Sequence, residues 1–383
     1  MPSPMNAAVN INNTQRLVDQ FLAMVQIASP SRQEGALAAY LQHELELLGF
    51  SVEFDQAGLE AAGNTGNLIA TLEGSSMAEP LMFCCHMDTV TPCMGVRPDI
   101  ADGVIRSDGS TILGGDDKAG IAAILEGVRR IQQRAVPHGL LQLVFTICEE
   151  VGMHGAKGLD YSKIRAKRVF VLDAEGPPGQ IVIQGPAKDR IVAHVQGLTA
   201  HAGLAPERGV SAIQVAARAI DRMHLLRIDD ETTANIGTFN GGEATNIVAE
   251  HVVITAEARS LVNDKLDAQS AHMKTCLEQA AQEFGVRVSV DIERSYAAFK
   301  LSEHDPVVRQ CLQAMKHLGL QPELVSTGGG SDCNIFNARG LSAIDLSIGM
   351  TDVHTKAESI RIADLEMASR LIETLIEINT THE

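Results

Sequence analysis

Apolar residues recur at helical spacing twice near the start of the chain. Leu17, Phe21, Met24 and Val25 mark a first amphipathic helix, and Ala36, Leu37, Tyr40, Leu41, Leu45 and Leu48 a second. Short runs that are apolar on both faces follow at 67–72, 81–85, 140–148 and 168–172, bounded by Gly, Asn and Asp. Among them, 118–131 reads as a helix with Ile121, Leu125, Val128 and Ile131 on one face. Strands without polar alternation, traded with helices, predict an α/β layer structure whose sheet is covered on both sides.

The pattern changes after Gly185. Strand 190–197, helix 210–225, strands 234–239 and 250–258, helix 264–283 and strand 286–294 follow in βαββαβ order, the split-βαβ arrangement of a small α+β domain. Met273, Cys276, Leu277, Ala280 and Phe284 form the stripe of its second helix. Beyond Phe299 the α/β character returns, with helix 305–317, strand 342–346 and a last helix carrying Leu365, Ala368, Leu371, Ile372 and Leu375. The expected organisation is a discontinuous domain, 1–186 and 298–383, interrupted by a smaller one at 187–297. Gly185-Pro186 and the Ala297-Ala298-Phe299 stretch mark the expected crossings.

Composition narrows the function. In 383 residues, 31 Lys+Arg stand against 48 Asp+Glu, a formal charge of −17, and 45% of residues are hydrophobic. Nucleic acid and anionic membranes are poor partners for so acidic a chain, and 3% aromatic residues with no Trp offer no base-stacking platform. The seven cysteines include an adjacent pair and no C-x-x-C, which predicts reduced, buried thiols in a cytoplasmic protein rather than a disulfide framework. Residues 1–13 show no basic region followed by an apolar stretch, so no signal peptide is visible, and no run reaches the roughly 18 apolar residues of a membrane span.

Carboxylates and imidazoles gather where strands end. His86-Met87-Asp88 follows one apolar run, Glu149-Glu150 another, and Asp173-Ala174-Glu175 a third. Gly114-Gly115-Asp116-Asp117-Lys118 leads into the strong helix, His354 lies between a late strand and the last helix, and His201 sits in the inserted domain. Each segment alone also reads as ordinary structure: a solvated turn, or an anionic cap at a helix N-terminus. Together they place hard oxygens and imidazoles at one sheet edge, a donor set suited to Zn²⁺, Mn²⁺ or Co²⁺. A metal pair would also relieve the repulsion between Glu149 and Glu150.

In order and context, His86-x-Asp88, Gly114-x-Asp116-x-Lys118-x-Gly120, Glu149-Glu150, Asp173, His201-Ala202-Gly203 and His354 resemble the M20 family of co-catalytic zinc peptidases. The runs 115–120, 171–173 and 328–332 look like those of its tripeptide-aminopeptidase (peptidase T) branch. The resemblance implies a zinc-peptidase-like α/β catalytic domain with a mixed sheet between helices, and a lid and dimerisation domain at 187–297. It implies two Zn²⁺ ions, with Mn²⁺ or Co²⁺ as substitutes. His86, Asp116 and Asp173 would hold one ion, and Asp116, Glu150 and His354 the other, with Asp116 bridging. Asp88 would orient His86 and Glu149 would be the general base, while Asp117 would cap the helix. His201 and Arg259 would contact substrate. The activity implied is removal of N-terminal residues from short peptides, tripeptides in particular. The alternative within the family is an N-acyl-amino-acid or carboxypeptidase-type amidohydrolase. Such deacylases tend to place Glu where tripeptide aminopeptidases place Asp, which sets Glu175 against Asp173 as the third ligand. A scaffold without chemistry should lack a ligand or the base, and none is missing here.

Overall fold

The computed structural model describes residues 4–380, with side chains described from Asn13 onward; of the stretch read for a signal peptide, residues 1–3 lie outside the described residues. By internal contact the chain divides into two units. One comprises Met1–Ile183, Leu301–Ser326 and Ser331–Glu383, the other Gln184–Lys300 and Thr327–Gly330. The second unit starts three residues earlier and ends three later than the pattern suggests. Gln184 and Gly185 pair with Lys300 and Phe299 in a short antiparallel ladder, and Thr327 N–H donates to the Gln184 carbonyl, which draws these residues in.

The first unit is α/β. Its sheet runs in the order Ser51–Phe54, Leu68–Leu72, Leu141–Thr146, Leu81–His86, Arg168–Ala174, Ser342–Ser347 and Gln180–Gly185. Leu81–His86 is parallel to Leu141–Thr146 and to Arg168–Ala174, and Ser342–Ser347 is parallel to Arg168–Ala174; the flanking strands are antiparallel. Every residue of Leu81–His86 and Leu141–Thr146 is buried, as non-alternating apolar runs require. Four parallel strands therefore end at one edge, the usual place for a ligand in an open α/β sheet.

Two details of the helices differ from the pattern. In Gly35–Leu47 the buried residues are Leu37, Ala38, Leu41 and Leu45, while Ala36 is exposed. The helix Gly115–Gln133 is buried nearly all round rather than on one face. Gly120 shows how close it comes to the sheet: a Cβ there would stand 2.6 Å from Cys85 Sγ and 2.9 Å from the Leu172 carbonyl oxygen. Only hydrogen fits.

A small antiparallel sheet, unmarked by the hydrophobic pattern, joins Met350–Thr351, Ser359–Arg361, Val104–Ser107 and Pro98–Ala101. Met350 pairs with Ile360 and Thr351 with Ser359, so residues 352–358 form the loop of a hairpin. Its conformation is unusual, since Asp352 (φ 55°) and His354 (φ 63°) are both left-handed without being glycine.

In the second unit the four long strands are Ala187–Gln196, Thr232–Gly241, His251–Ser260 and Arg287–Tyr296. Their order is Thr232–Gly241, His251–Ser260, Ala187–Gln196, Arg287–Tyr296, antiparallel throughout, with helices Ala212–Arg222 and Asn263–Phe284 forming its core with the sheet. This is the βαββαβ arrangement, with an extra two-residue edge strand, Leu226–Arg227. All seven cysteines are buried and free. Among the described residues no helix is long and apolar enough to cross a membrane.

Candidate metal centre

The parallel strands deliver their terminal residues to one place. His86 ends its strand, Asp173 is the penultimate residue of Arg168–Ala174, and Glu149-Glu150 follows Leu141–Thr146. Asp173 was expected just past its strand. The ladder with Ser342–Ser347 instead continues through a register shift to Ala174.

The imidazole of His86 is buried and its two nitrogens have different work. Nδ1 lies 2.8 Å from the Asp88 main-chain oxygen, an acceptor, so Nδ1 carries the proton. Nε2 then faces Asp116 Oδ1 at 2.8 Å and Asp173 Oδ1 at 3.3 Å. In the neutral ring these are three lone-pair-bearing atoms turned towards one point. Across from them, His354 Nε2 stands 3.1 Å from Asp116 Oδ2 and 3.0 Å from Glu150 Oε1. Glu150 Oε1 is buried and accepts no hydrogen bond despite that distance. The two oxygens of Asp116 are thus divided between two imidazoles.

Such an arrangement suits a divalent cation. Two ligand atoms on one tetrahedral zinc, each about 2.1 Å from it, stand about 3.4 Å apart, a little longer than the edges seen here. Among the described residues Asp116, Asp173 and Glu150 pair with imidazoles and with no Lys or Arg. Burial, then the neighbouring acids, push Asp173 and Glu149 well above the usual carboxylate range. Burial opposes charging His86, but Asp173 and Asp116 outweigh it and drive its pKa up. The Asp116 and Glu150 carboxylates push His354 up to about 10. Ligand-type atoms of His86, Asp117 and Asp173, and of His86, Asp116 and Glu150, lie within 4.8 Å of one another, close enough to hold metal ions. The division implied by the resemblance, His86, Asp116 and Asp173 for one ion and Asp116, Glu150 and His354 for the other, is the one we propose.

Two assignments made from the sequence change. Asp88 meets the His86 ring through its main-chain oxygen, its carboxylate being 3.6 Å away. That carboxylate instead accepts from the Glu149 N–H at 2.9 Å, the Glu150 N–H at 3.2 Å and the Ser31 hydroxyl at 2.6 Å. Asp117 makes no helix-capping bond. Its Oδ2 accepts from the His86 N–H at 3.3 Å while Oδ1 is buried without a partner. Asp117 also comes within ligand distance of His86 and Asp173, and burial drives its pKa well up. We favour Asp116 because its two oxygens reach both imidazoles.

Glu175 is engaged elsewhere, accepting from the Asp352 N–H at 2.8 Å, while Asp173 faces His86. Several buried acids that the sequence reading missed stand behind the centre. Glu34 accepts from the Cys148 N–H at 3.0 Å, and Asp345 from the Asp173 N–H at 2.9 Å. Cys148 itself is left-handed (φ 52°), and strained backbone of this kind gathers at functional sites.

In the second unit, His201 is exposed and its Nδ1 accepts from the N–H groups of Gly203 and Leu204, both at 3.1 Å. The proton is therefore on Nε2, which is left as a donor. Arg259 is partly engaged: its Nε donates to Glu257 at 2.9 Å and its Nη1 to the Gly328 carbonyl at 3.2 Å.

The sequence profile of peptidase family M20/M25/M40 matches residues 82–378. The Bacillus subtilis protein YqjE is 41% identical over 365 residues, which cover 95% of this chain and 98% of that protein. The crystal structure of aminopeptidase PepT from Bacillus cereus matches with a TM-score of 0.90 at 42% identity, over 96% of this chain and 98% of its own. That of a tripeptidase from Staphylococcus aureus matches with a TM-score of 0.94 at 39% identity, over 96% and 99%.

Proposed function

Because the chain belongs to peptidase family M20/M25/M40, we propose that it is a dinuclear metallo-aminopeptidase that releases the N-terminal residue of short peptides, tripeptides in particular. One observation carries the reading: the Asp116 carboxylate is shared between His86 and His354, each backed by a further acid. The two ions, zinc by the donor set with manganese or cobalt as substitutes, would acidify a water and polarise the scissile carbonyl. Glu149, whose pKa is raised by burial and by Asp173, has no ion-pair partner among the described residues, which supports a role as base. It would take the proton of the attacking water and return it to the leaving amine. His201, with its Nε2–H free, would donate to the developing oxyanion, and Arg259 would hold the substrate carboxylate. His201 and Arg259 belong to the second unit, and the residues proposed for the ions and the base to the first.

Asp173 in place of Glu175 supports the aminopeptidase over the deacylase. Seven buried free thiols support a cytoplasmic setting. The long strand Arg287–Tyr296 lies at the edge of the second unit's sheet, and two copies would associate along it. The test is a comparison of a free tripeptide with its N-acetylated form, repeated with Glu149→Ala. The free peptide should be preferred, and the variant should lose turnover while keeping about two ions per chain. Preference for the blocked peptide would sink the aminopeptidase reading, and metal loss in the variant would make Glu149 a ligand.

A further inference from the structure

Three main-chain N–H groups around Asp116 point at a side chain that no motif singled out. Leu113 and Gly114 donate to Glu358 Oε2 at 2.9 and 2.8 Å, and Asp116 donates to Oε1 at 2.9 Å. Glu358 is 1% exposed, so the carboxylate has exchanged water for this turn of backbone. The fit is close: a Cβ on Gly115 would stand 3.0 Å from Oε1. Glu358 also ends the hairpin loop 352–358 that carries His354. One loop therefore reaches Asp116 twice, with an imidazole at its carboxylate and a carboxylate at its N–H.

We infer that Glu358 is a positioning residue for the metal centre. It holds the turn that aims the Asp116 carboxylate, and through Asp116 it sets how tightly the shared site binds its ions. The inference rests on the metal-centre reading given above. A simpler role is open to any carboxylate at a helix N-terminus, where orphan N–H groups and the macrodipole both favour a negative charge. A cap alone would affect folding stability and leave ion affinity and ligand geometry untouched. A carboxylate that aims a ligand must affect both.

The test uses the full chain, stripped of metal, with Glu358→Gln and Glu358→Ala beside the parent. Glutamine keeps the shape but turns an N–H₂ towards one of the main-chain donors. Zn²⁺ affinity is read by competition with a chromogenic chelator, and ligand geometry by the visible spectrum of the Co²⁺ form. Both variants should bind Zn²⁺ about 10–100-fold more weakly, the loss usual when a partner behind a metal ligand is removed. Their Co²⁺ bands should shift, and kcat should fall with KM little changed. Should Glu358→Ala fail to fold, Gly115→Ala, which crowds only Oε1, should weaken affinity in the same direction. Parent-like affinity and spectrum in Glu358→Gln and Gly115→Ala, with only a lower unfolding temperature, would overturn the inference and leave a helix cap. A parent chain that takes up no metal would instead overturn the metal-centre reading itself.

Discussion

Replacing Asp88 by alanine separates two accounts of what this residue does. If its carboxylate served to orient His86, the variant would lose the ion nearest that ring. The structure assigns that task to the main-chain oxygen, which alanine retains, at 2.8 Å from Nδ1. The carboxylate is fully buried and receives three donors: the Glu149 and Glu150 N–H groups and the Ser31 hydroxyl. Burial alone would raise its pKa, yet the His86 ring, Ser31 and Glu149 together hold it below the ordinary value. Removing it strands two main-chain donors at the segment that carries the proposed base, Glu149.

Hydrogen bonds to a charged acceptor contribute about 1.5–3 kcal/mol each, and relief from burying the charge offsets part of their loss. A net destabilisation of about 3–5 kcal/mol follows, the size expected when one side of a buried charged contact is deleted. Activity should suffer separately. A shift of roughly 1 Å in Glu149 costs about 100-fold in rate. The assay is steady-state kinetics with metal analysis on the same samples, and Asp88→Asn serves as the milder variant. The expected result is a kcat lowered about 100-fold with close to two ions still bound. Loss of one ion with turnover per remaining metal pair unchanged would refute the argument and return the carboxylate to His86.

Two further outcomes follow from the same geometry. Arg259→Ala should slow hydrolysis of a free-acid tripeptide far more than that of its C-terminal amide, with metal content unchanged; equal losses would mean that Arg259 only braces Glu257 and Gly328 within the second unit. Metal uptake should also release protons. The pKa values of Asp173, Glu149, His86 and His354 are all raised, so binding of divalent ions would have to displace protons from these groups. Affinity should therefore fall as the solution is acidified from about pH 8 to 6, with proton release visible by titration calorimetry in buffers of different ionisation enthalpy. Affinity that does not change with pH would contradict the burial and repulsion assigned to these acids.

The residues nearest the proposed ions were legible in the sequence because each is a local signal. His86, Asp173 and the Glu149-Glu150 pair stand at or just past the ends of apolar strands, where a charged residue closes a run that is uncharged apart from Arg168 at the start of one strand. Parallel strands then turn a one-dimensional pattern into a single edge. The acids behind them were not legible, because their partners are main-chain groups far away in sequence. Glu34 serves Cys148 across 114 residues and Glu358 serves Leu113 across 245. Such a residue reads as an ordinary loop or helix-end glutamate. The one available hint was that Glu358 follows His354 by four residues in a short loop.

Those acids, together with Asp88, also concentrate negative charge around the centre. Asp88, Glu34, Asp345 and Glu358 are buried, and each accepts an N–H from a segment that carries a proposed ligand or the base. Holding backbone by carboxylate gives strong, directional bonds, but every anchor adds negative potential beneath the inner acids. The effect shows in Asp345, whose carboxyl is pushed up to about 6 chiefly by burial, with Asp116 among the charges that raise it further. Neutral anchors such as Asn would avoid this and bind the backbone less well. Anchoring and charge thus come from the same side chains. The side chains that aim the proposed ligands are the ones that surround them with negative charge, and a substitution at Glu358 would alter both.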